Sequence, residues 1–333
     1  MTRRPLPVVF EPIFRPRPWG GRRLAELFDK ALPPALPIGE SWELADLPEA
    51  QSRVRDGPLS GATLRSLVEQ WGSDLLGGAP LVGGRFPLLI KFLDAAEHLS
   101  VQVHPRPDDP AVMRGALPAK HEAWYVVQAD PGAELFAGFR PGVTPAAVAA
   151  SAGRAELVEL LERWPVAAGE CYYLPGGLVH ALGAGIVVAE VQTPADVTYR
   201  LFDWDRVGFD GRPRPLHLPD ALRNARYDVS PAQIRQTRTP LRRTPGATTR
   251  LMTCPAFAID HAHLAAGEQR TVRPGELVIW VLLTGSAHLT DGEVELRVAA
   301  GDVVLLPAGA PELRVRIAGD CQLLEVRVPG SRT

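Results

Sequence analysis

Residues 169–180 read GECYYLPGGLVH, and residues 301–312 read GDVVLLPAGAPE. The two stretches share one frame, with Gly169, Pro175 and Gly177 in the first matched by Gly301, Pro307 and Gly309 in the second. In each, an apolar run leaves a Gly turn and enters a Pro-x-Gly turn, the pattern of strand, tight turn and strand. The residue three places beyond the second Gly is His180 in the first copy and Glu312 in the second. One β unit used twice predicts a mainly β fold built from two similar β domains, as in a sandwich or jelly roll. The first copy has the better-equipped mouth.

Outward from this unit, helices interrupt the β pattern. Thr63–Leu76 carries Leu64, Leu67, Val68, Trp71, Leu75 and Leu76 near helical spacing and stops at Gly77-Gly78. The stretch FPLLIKFLDAAEHLSVQVHP (86–105) mixes apolar runs with alternation and reads as two strands around a short turn. From Thr144, an N-cap followed by Pro at the first helical position, a helical insertion is expected over about 144–164, broken at Gly153. Ser41–Leu44 reads as extended. The run from Val229 to Ile259 has no acidic residue and holds Arg235, Arg238, Arg242, Arg243 and Arg250; without an aromatic platform it reads as a solvated connection.

Composition narrows the function classes. The 36 basic and 38 acidic side chains leave a formal net charge of -2, which argues against nucleic acid or a membrane surface as partner. A 46% hydrophobic chain of 333 residues can bury a large core. No stretch approaches the roughly 18 apolar residues of a spanning helix, and the N-terminus shows no signal-peptide core. Cys171, Cys254 and Cys321 are odd in number and form no Cys-x-x-Cys pair, which fits a soluble protein of the reducing cytoplasm. Lysine is rare: among the 36 basic residues the lysines are Lys30, Lys91 and Lys120. Where a lysine persists against Arg, a site that needs a compact ammonium is expected.

The frame of Gly169, Pro175, Gly177 and His180 resembles the second conserved motif of cupin jelly rolls. Ahead of it, Gln102 and His104 lie two apart on a strand and so share a face, and KHEAWY (120–125) adds Glu122. Gln102, His104, Glu122 and His180 together offer two imidazoles, a carboxylate and an amide oxygen. That donor set suits zinc, manganese or iron, with water or a substrate oxygen completing the shell.

Longer motifs extend the resemblance. RPWGG (17–21), IGESWELAD (38–46), KFLDAAEHLSVQVHP (91–105), KHEAWY and PGGLVHALGAGIVVAEVQTPADVTYRLFDWDR (175–206) resemble, in order, the type I mannose-6-phosphate isomerases in their short bacterial form. The resemblance implies two cupin-type jelly-roll domains: a metal-binding catalytic domain over 1–235, a linker over 236–250 and a degenerate second cupin over 251–333. It implies one zinc per chain, other divalent metals being possible, held by Gln102, His104, Glu122 and His180. It further implies interconversion of mannose 6-phosphate and fructose 6-phosphate through a cis-enediol, by a monomer or homodimer.

Around these ligands, Glu190 lies within the apolar run GIVVAEVQ and is the leading candidate for general base, because desolvation raises a carboxyl toward neutrality. The competing reading pairs it structurally with Arg200 or Arg206. Arg200 matches the family's active-site Arg and is expected to bind phosphate or stabilise the enediolate; the competing reading is an ion pair with Asp196, Asp203 or Asp205. Asp196 is expected to orient Arg200. Lys120, two residues before Glu122, and Lys91, inside an apolar strand, are expected to contact the substrate phosphate or shuttle protons, Lys120 as a catalytic residue. Trp19 either stacks on the sugar or plugs the N-terminal turn, and His121 is expected to point away. Ala195 replaces a family Ser. The second copy, with Glu312 in the His position, is expected to lack a Gln-x-His or His-x-His strand ahead of it and therefore a metal site. A non-catalytic double-cupin sugar binder and a metal-dependent cupin oxygenase are the rival classes.

Overall fold

The computed structural model describes residues 4–236, 246–272 and 275–330. Of the expected linker, residues 237–245, with Arg238, Arg242 and Arg243, lie outside them. Antiparallel strands dominate, as the repeated turn motif requires. A six-stranded sheet runs in the order Cys171–Pro175, His121–Ala129, Ile186–Gln192, Leu89–Ala95, Ile13–Gly21 and Ile38–Leu44. A five-stranded sheet runs Leu161–Pro165, Glu134–Phe139, His180–Ala181, Val101–Val103 and Tyr199–Phe202. The third sheet takes most of the C-terminal half, and Val8–Val9 joins its edge by pairing with Leu305 and Val304.

Strand alternation sorts the six-stranded sheet into two faces. Ile90, Phe92, Ala123, Val187, Ala189 and Val191 bury one face together with Ile279, Val281 and Leu324 of the third sheet. On the other face, Leu93, Trp124 and Val188 pack with Leu135, Leu178 and Leu182 beneath the five-stranded sheet. The polar residues of interest sit at the open end between these two sheets.

Local signals explain the helices. The Thr63 hydroxyl accepts from the Ser66 N–H at 3.1 Å and caps Leu64–Trp71; Gly72, at φ 48°, ends this helix before a short turn of helix at Ser73–Leu76. Thr144 caps Pro145–Ser151 in the same way. The expected insertion over 144–164 needs correction at its end. A 3-10 turn covers Ala155–Leu160, and Leu161–Pro165 is a strand on Glu134–Phe139. Gly153, at φ 81°, breaks the helical run, and sheet pairing then satisfies the backbone groups that follow.

The C-terminal half holds a second correction. His261 and His263 alternate on Ala258–Leu264, so a His-x-His strand does precede Pro307-x-Gly309. Ala262 and Leu264 fill the core of the third sheet, whereas the histidines share the Ile259 face, turned toward the neighbouring sheet. His261 stacks on Tyr125 with ring centroids 5.9 Å apart and lies 3.3 Å from Gln322 Oε1. His263 Nε2 lies 2.9 Å from Asp320.

Candidate active site

Strand register assembles the site. Gln102 pairs across the five-stranded sheet with His180 on one side and Arg200 on the other, so all three share a face. On the six-stranded sheet Glu190 stands between Lys91 and Trp124, and Gln192 lies beside Glu122. The two rows face each other across a cavity of about 530 Å3. Gln102, Lys91, Lys120, Glu122, Glu190, Asp196, Arg200 and Trp19 all line it, while His104 and His180 are fully buried behind Glu122 and Gln102.

At the floor, ligand atoms of His104, Glu122 and His180 lie within 4.8 Å of one another. His104 Nδ1 is 2.9 Å from the Val197 carbonyl, and His180 Nδ1 is 2.9 Å from the Leu178 carbonyl. Each ring therefore donates its Nδ1 proton to the backbone and presents an Nε2 lone pair inward. His104 Nε2 and Glu122 Oε2 approach to 3.0 Å without hydrogen-bond geometry, and both atoms are buried without a hydrogen-bond partner. Two acceptors converging in this way fit a common cation, the arrangement that zinc requires. The Gln102 amide is 3.4 Å from His180 Nε2, and turning it over brings its oxygen to the same point.

Charge around the floor is dense. Burial pushes the Glu122 carboxyl up, but Lys120, 2.9 Å away, and His104 outweigh it and hold Glu122 well below the usual range. Burial, then the neighbouring His104, pushes His180 down to about 3. Glu190 behaves oppositely: burial, reinforced by Glu122, raises it to about 7 against the pull of Lys91 and Lys120. Trp124 Nε1–H donates to Glu190 Oε2 at 3.0 Å.

The competing ion-pair readings do not survive. Glu190 pairs with Lys91, not Arg200 or Arg206, and Asp203 is taken by Arg214 at 2.7 Å and, more distantly, by Arg206. Arg200 makes no ion pair among the described residues, and its Nε is buried without a partner. Nor does a hydrogen bond join it to Asp196 among them, so Asp196 does not orient Arg200 by direct contact; it lines the cavity exposed. Trp19 is only 3% exposed, so one ring serves both the core and the cavity wall. His121 points away, 2.5 Å from the Tyr173 hydroxyl.

Four wall residues escaped the sequence reading: Arg17, Glu40, Arg214 and His217. Glu40 accepts from Arg17 Nε at 2.7 Å and from Trp42 Nε1 at 2.6 Å. Burial pushes its carboxyl up, but Lys91 and Arg17 overcome that and hold it at about 2. Only their place in IGESWELAD and RPWGG marked Glu40 and Arg17; nothing in the sequence marked Arg214 or His217.

Comparison with known proteins bears on this geometry. A family model for the phosphomannose isomerase type I catalytic domain matches residues 9–137. The mannose-6-phosphate isomerase ManA of Bacillus subtilis is 34% identical over 322 residues, 95% of this chain and 97% of that protein. The chain belongs to the type I phosphomannose isomerases. A crystal structure of the Bacillus subtilis mannose 6-phosphate isomerase superposes with a TM-score of 0.85 at 28% identity, covering 97% of this chain and 99% of that one. A zinc-bound mannose 6-phosphate isomerase shares the fold at TM-score 0.73 and 18% identity, over 97% of this chain and 99% of that one. As expected of a type I phosphomannose isomerase, the chain is a mainly β, antiparallel protein with a site able to hold one metal ion.

Proposed function

We propose that the protein is a zinc-dependent aldose-ketose isomerase that interconverts mannose 6-phosphate and fructose 6-phosphate through a cis-enediol. The observation that carries this reading is the convergence, in one cavity, of a buried two-imidazole, one-carboxylate cluster with a near-neutral carboxyl, Glu190, and the Arg200 guanidinium, which makes no ion pair among the described residues. Zinc would be held by His104, Glu122, His180 and Gln102, and when bound it polarises a substrate oxygen as a Lewis acid.

Glu190 takes the proton from carbon 2 of the aldose and returns it to carbon 1, while a second proton moves from the oxygen on carbon 2 to that on carbon 1. Near neutral pH a group titrating at about 7 can both accept and return a proton. Trp124 and Lys91 hold the Glu190 carboxylate in place. Lys120, on the Glu122 side of the cavity, carries charge close to the oxygens that exchange their proton, and Arg200, on the cavity wall, is placed to bind the substrate's phosphate. Asp196 accepts from sugar hydroxyls, and Trp19 closes the wall against the ring.

We further infer a division into a metal-binding part over 1–235 and a structural part over 251–333, joined by 236–250, in a monomer or homodimer. Its partner is a small sugar phosphate, not nucleic acid or a membrane, and its compartment the cytoplasm. An odd number of cysteines, far apart in the sequence and in no Cys-x-x-Cys pair, supports a reducing compartment. Among the described residues no helix is long and apolar enough to cross a membrane.

The test is to incubate metal-loaded protein with mannose 6-phosphate and follow fructose 6-phosphate with and without a chelator. Metal-dependent interconversion is expected; its absence overturns the proposal.

A further inference from the structure

The cavity holds more cations than the chemistry at carbons 1 and 2 uses, and they differ in how they are neutralised. Lys120 lies 2.9 Å from Glu122, Lys91 lies 3.2 Å from Glu190, and Arg17 is bound to Glu40. Both lysines thus sit directly against the metal ligand and the base that serve carbons 1 and 2. The phosphate, at the opposite end of the hexose chain, cannot occupy that floor at the same time. It must lie where the cavity opens.

The cavity meets solvent along the loop that carries Phe209, a lining residue 57% exposed. Arg214 is tied to Asp203 by a two-point ion pair, and Gly208, Phe209, Arg214 and His217 carry the wall outward from Arg200. His217 is fixed to Arg200 twice. The His217 N–H donates to the Arg200 carbonyl at 2.9 Å, and the Arg200 N–H donates to His217 Nδ1 at 3.2 Å. With Nδ1 accepting, the ring proton is on Nε2, which is left as a donor. The Arg200 guanidinium is unpaired among the described residues. Besides burial, the nearby Arg214 charge is what most disfavours its charged form, offset only in part by Asp203 and Asp196, so a bound anion would favour it.

We propose that His217 is a substrate-positioning residue, and that its Nε2–H and the Arg200 guanidinium form the phosphate subsite, backed by Arg214 on its Asp203 anchor. This deepens the isomerase reading and rests on it for the placement of carbons 1 and 2. It also removes Lys91 and Lys120 from phosphate binding.

The test uses the zinc-loaded full chain. His217→Phe keeps a ring without either nitrogen, and His217→Ala backs it up where the Phe variant does not fold. The KM for mannose 6-phosphate and the Kd for inorganic phosphate, read by calorimetry, should each rise on the order of tenfold, the loss expected for one charge-assisted hydrogen bond, with kcat and zinc content little changed. His217→Gln, whose amide can accept from Arg200 and still donate outward, should recover most of both. A Kd for phosphate equal to that of the unmodified protein overturns the subsite. So does a fall in kcat at constant KM, which would place His217 in the chemistry. If the unmodified protein binds phosphate through His217 yet does not turn over mannose 6-phosphate, the isomerase reading fails while the anion subsite stands.

Discussion

Lys91 Nζ lies 3.2 Å from Glu190 Oε1 while also facing Glu40, and of these two carboxyls it is Glu190 that holds a proton near neutrality. Glu40 is held at about 2 and stays ionised, so Lys91 remains charged even when Glu190 is neutral. A base that must be deprotonated to act gives activity that rises with pH through its own pKa. kcat/KM should therefore climb about tenfold per pH unit on the acid side and level off near or below 7, since a cation at Glu122 relieves part of the push on Glu190. Glu190→Gln should abolish this limb and cut kcat by about 10²–10⁴-fold while zinc stays bound. Glu40→Gln should shift the limb without removing it. A limb that persists in Glu190→Gln assigns the base elsewhere.

Metal removal should be felt in both activity and stability. Without a cation, His104 Nε2 and Glu122 Oε2 press two acceptors together at 3.0 Å in a buried site. A ligand that binds only the folded state stabilises by mass action. Dialysis against a chelator should abolish turnover and lower Tm, and added zinc should restore both. In His104→Ala, added zinc should raise Tm far less; an equal rise in the two proteins would show that the ion binds elsewhere.

The three lysines separate by function although each pairs with a glutamate. Lys30 Nζ lies 2.9 Å from Glu43 and 3.1 Å from the Gly301 carbonyl, far from the cavity lining. Lys91→Arg and Lys120→Arg should lower turnover with the fold intact, because a guanidinium fork does not fit beside Glu190 or Glu122. Lys30→Met should leave turnover per folded molecule unchanged but cost about 3 kcal/mol in denaturant unfolding, because it strands Glu43 in the interior. Pairing it with Glu43→Leu should recover much of that loss.

Gly177 places His180. Its φ is 89°, and an added Cβ would lie 2.7 Å from the Arg106 side chain. Gly177→Ala should lower both Tm and zinc affinity, since the turn that feeds His180 to the cluster must shift. Unchanged zinc affinity would show that the turn and the ligand are uncoupled.

The parts of this site that were legible in the sequence share a local signature. Gln102 and His104 are two apart, Lys120 and Glu122 likewise, and His180 follows a Pro-x-Gly turn at fixed spacing, so strand geometry alone groups them. Glu190 was marked by its place in an apolar run. Arg214 and His217 lie on loops with no periodicity, and their roles depend on Asp203 and on the backbone of Arg200, which only the fold supplies. Lys30 was likewise opaque, because its partners come from a separate strand and from the far C-terminal half. The strand at Leu161–Pro165 carries helical spacing that sheet pairing overrides, and His261-x-His263 stands in the sequence against the expectation for the second copy.

The pairing of Val8 with Leu305 and Val9 with Val304 bears on how the protein is made. A ribosome releases Val8–Val9 long before Val304 and Leu305, so this edge stays open while all the residues between them are made. Because so long a loop must close before the pairing is rewarded, final locking should be slow and should follow assembly of the metal cluster, whose residues all emerge sooner. A nascent chain halted before residue 300 already contains His104, Glu122 and His180 yet leaves Val8–Val9 without a strand to pair with.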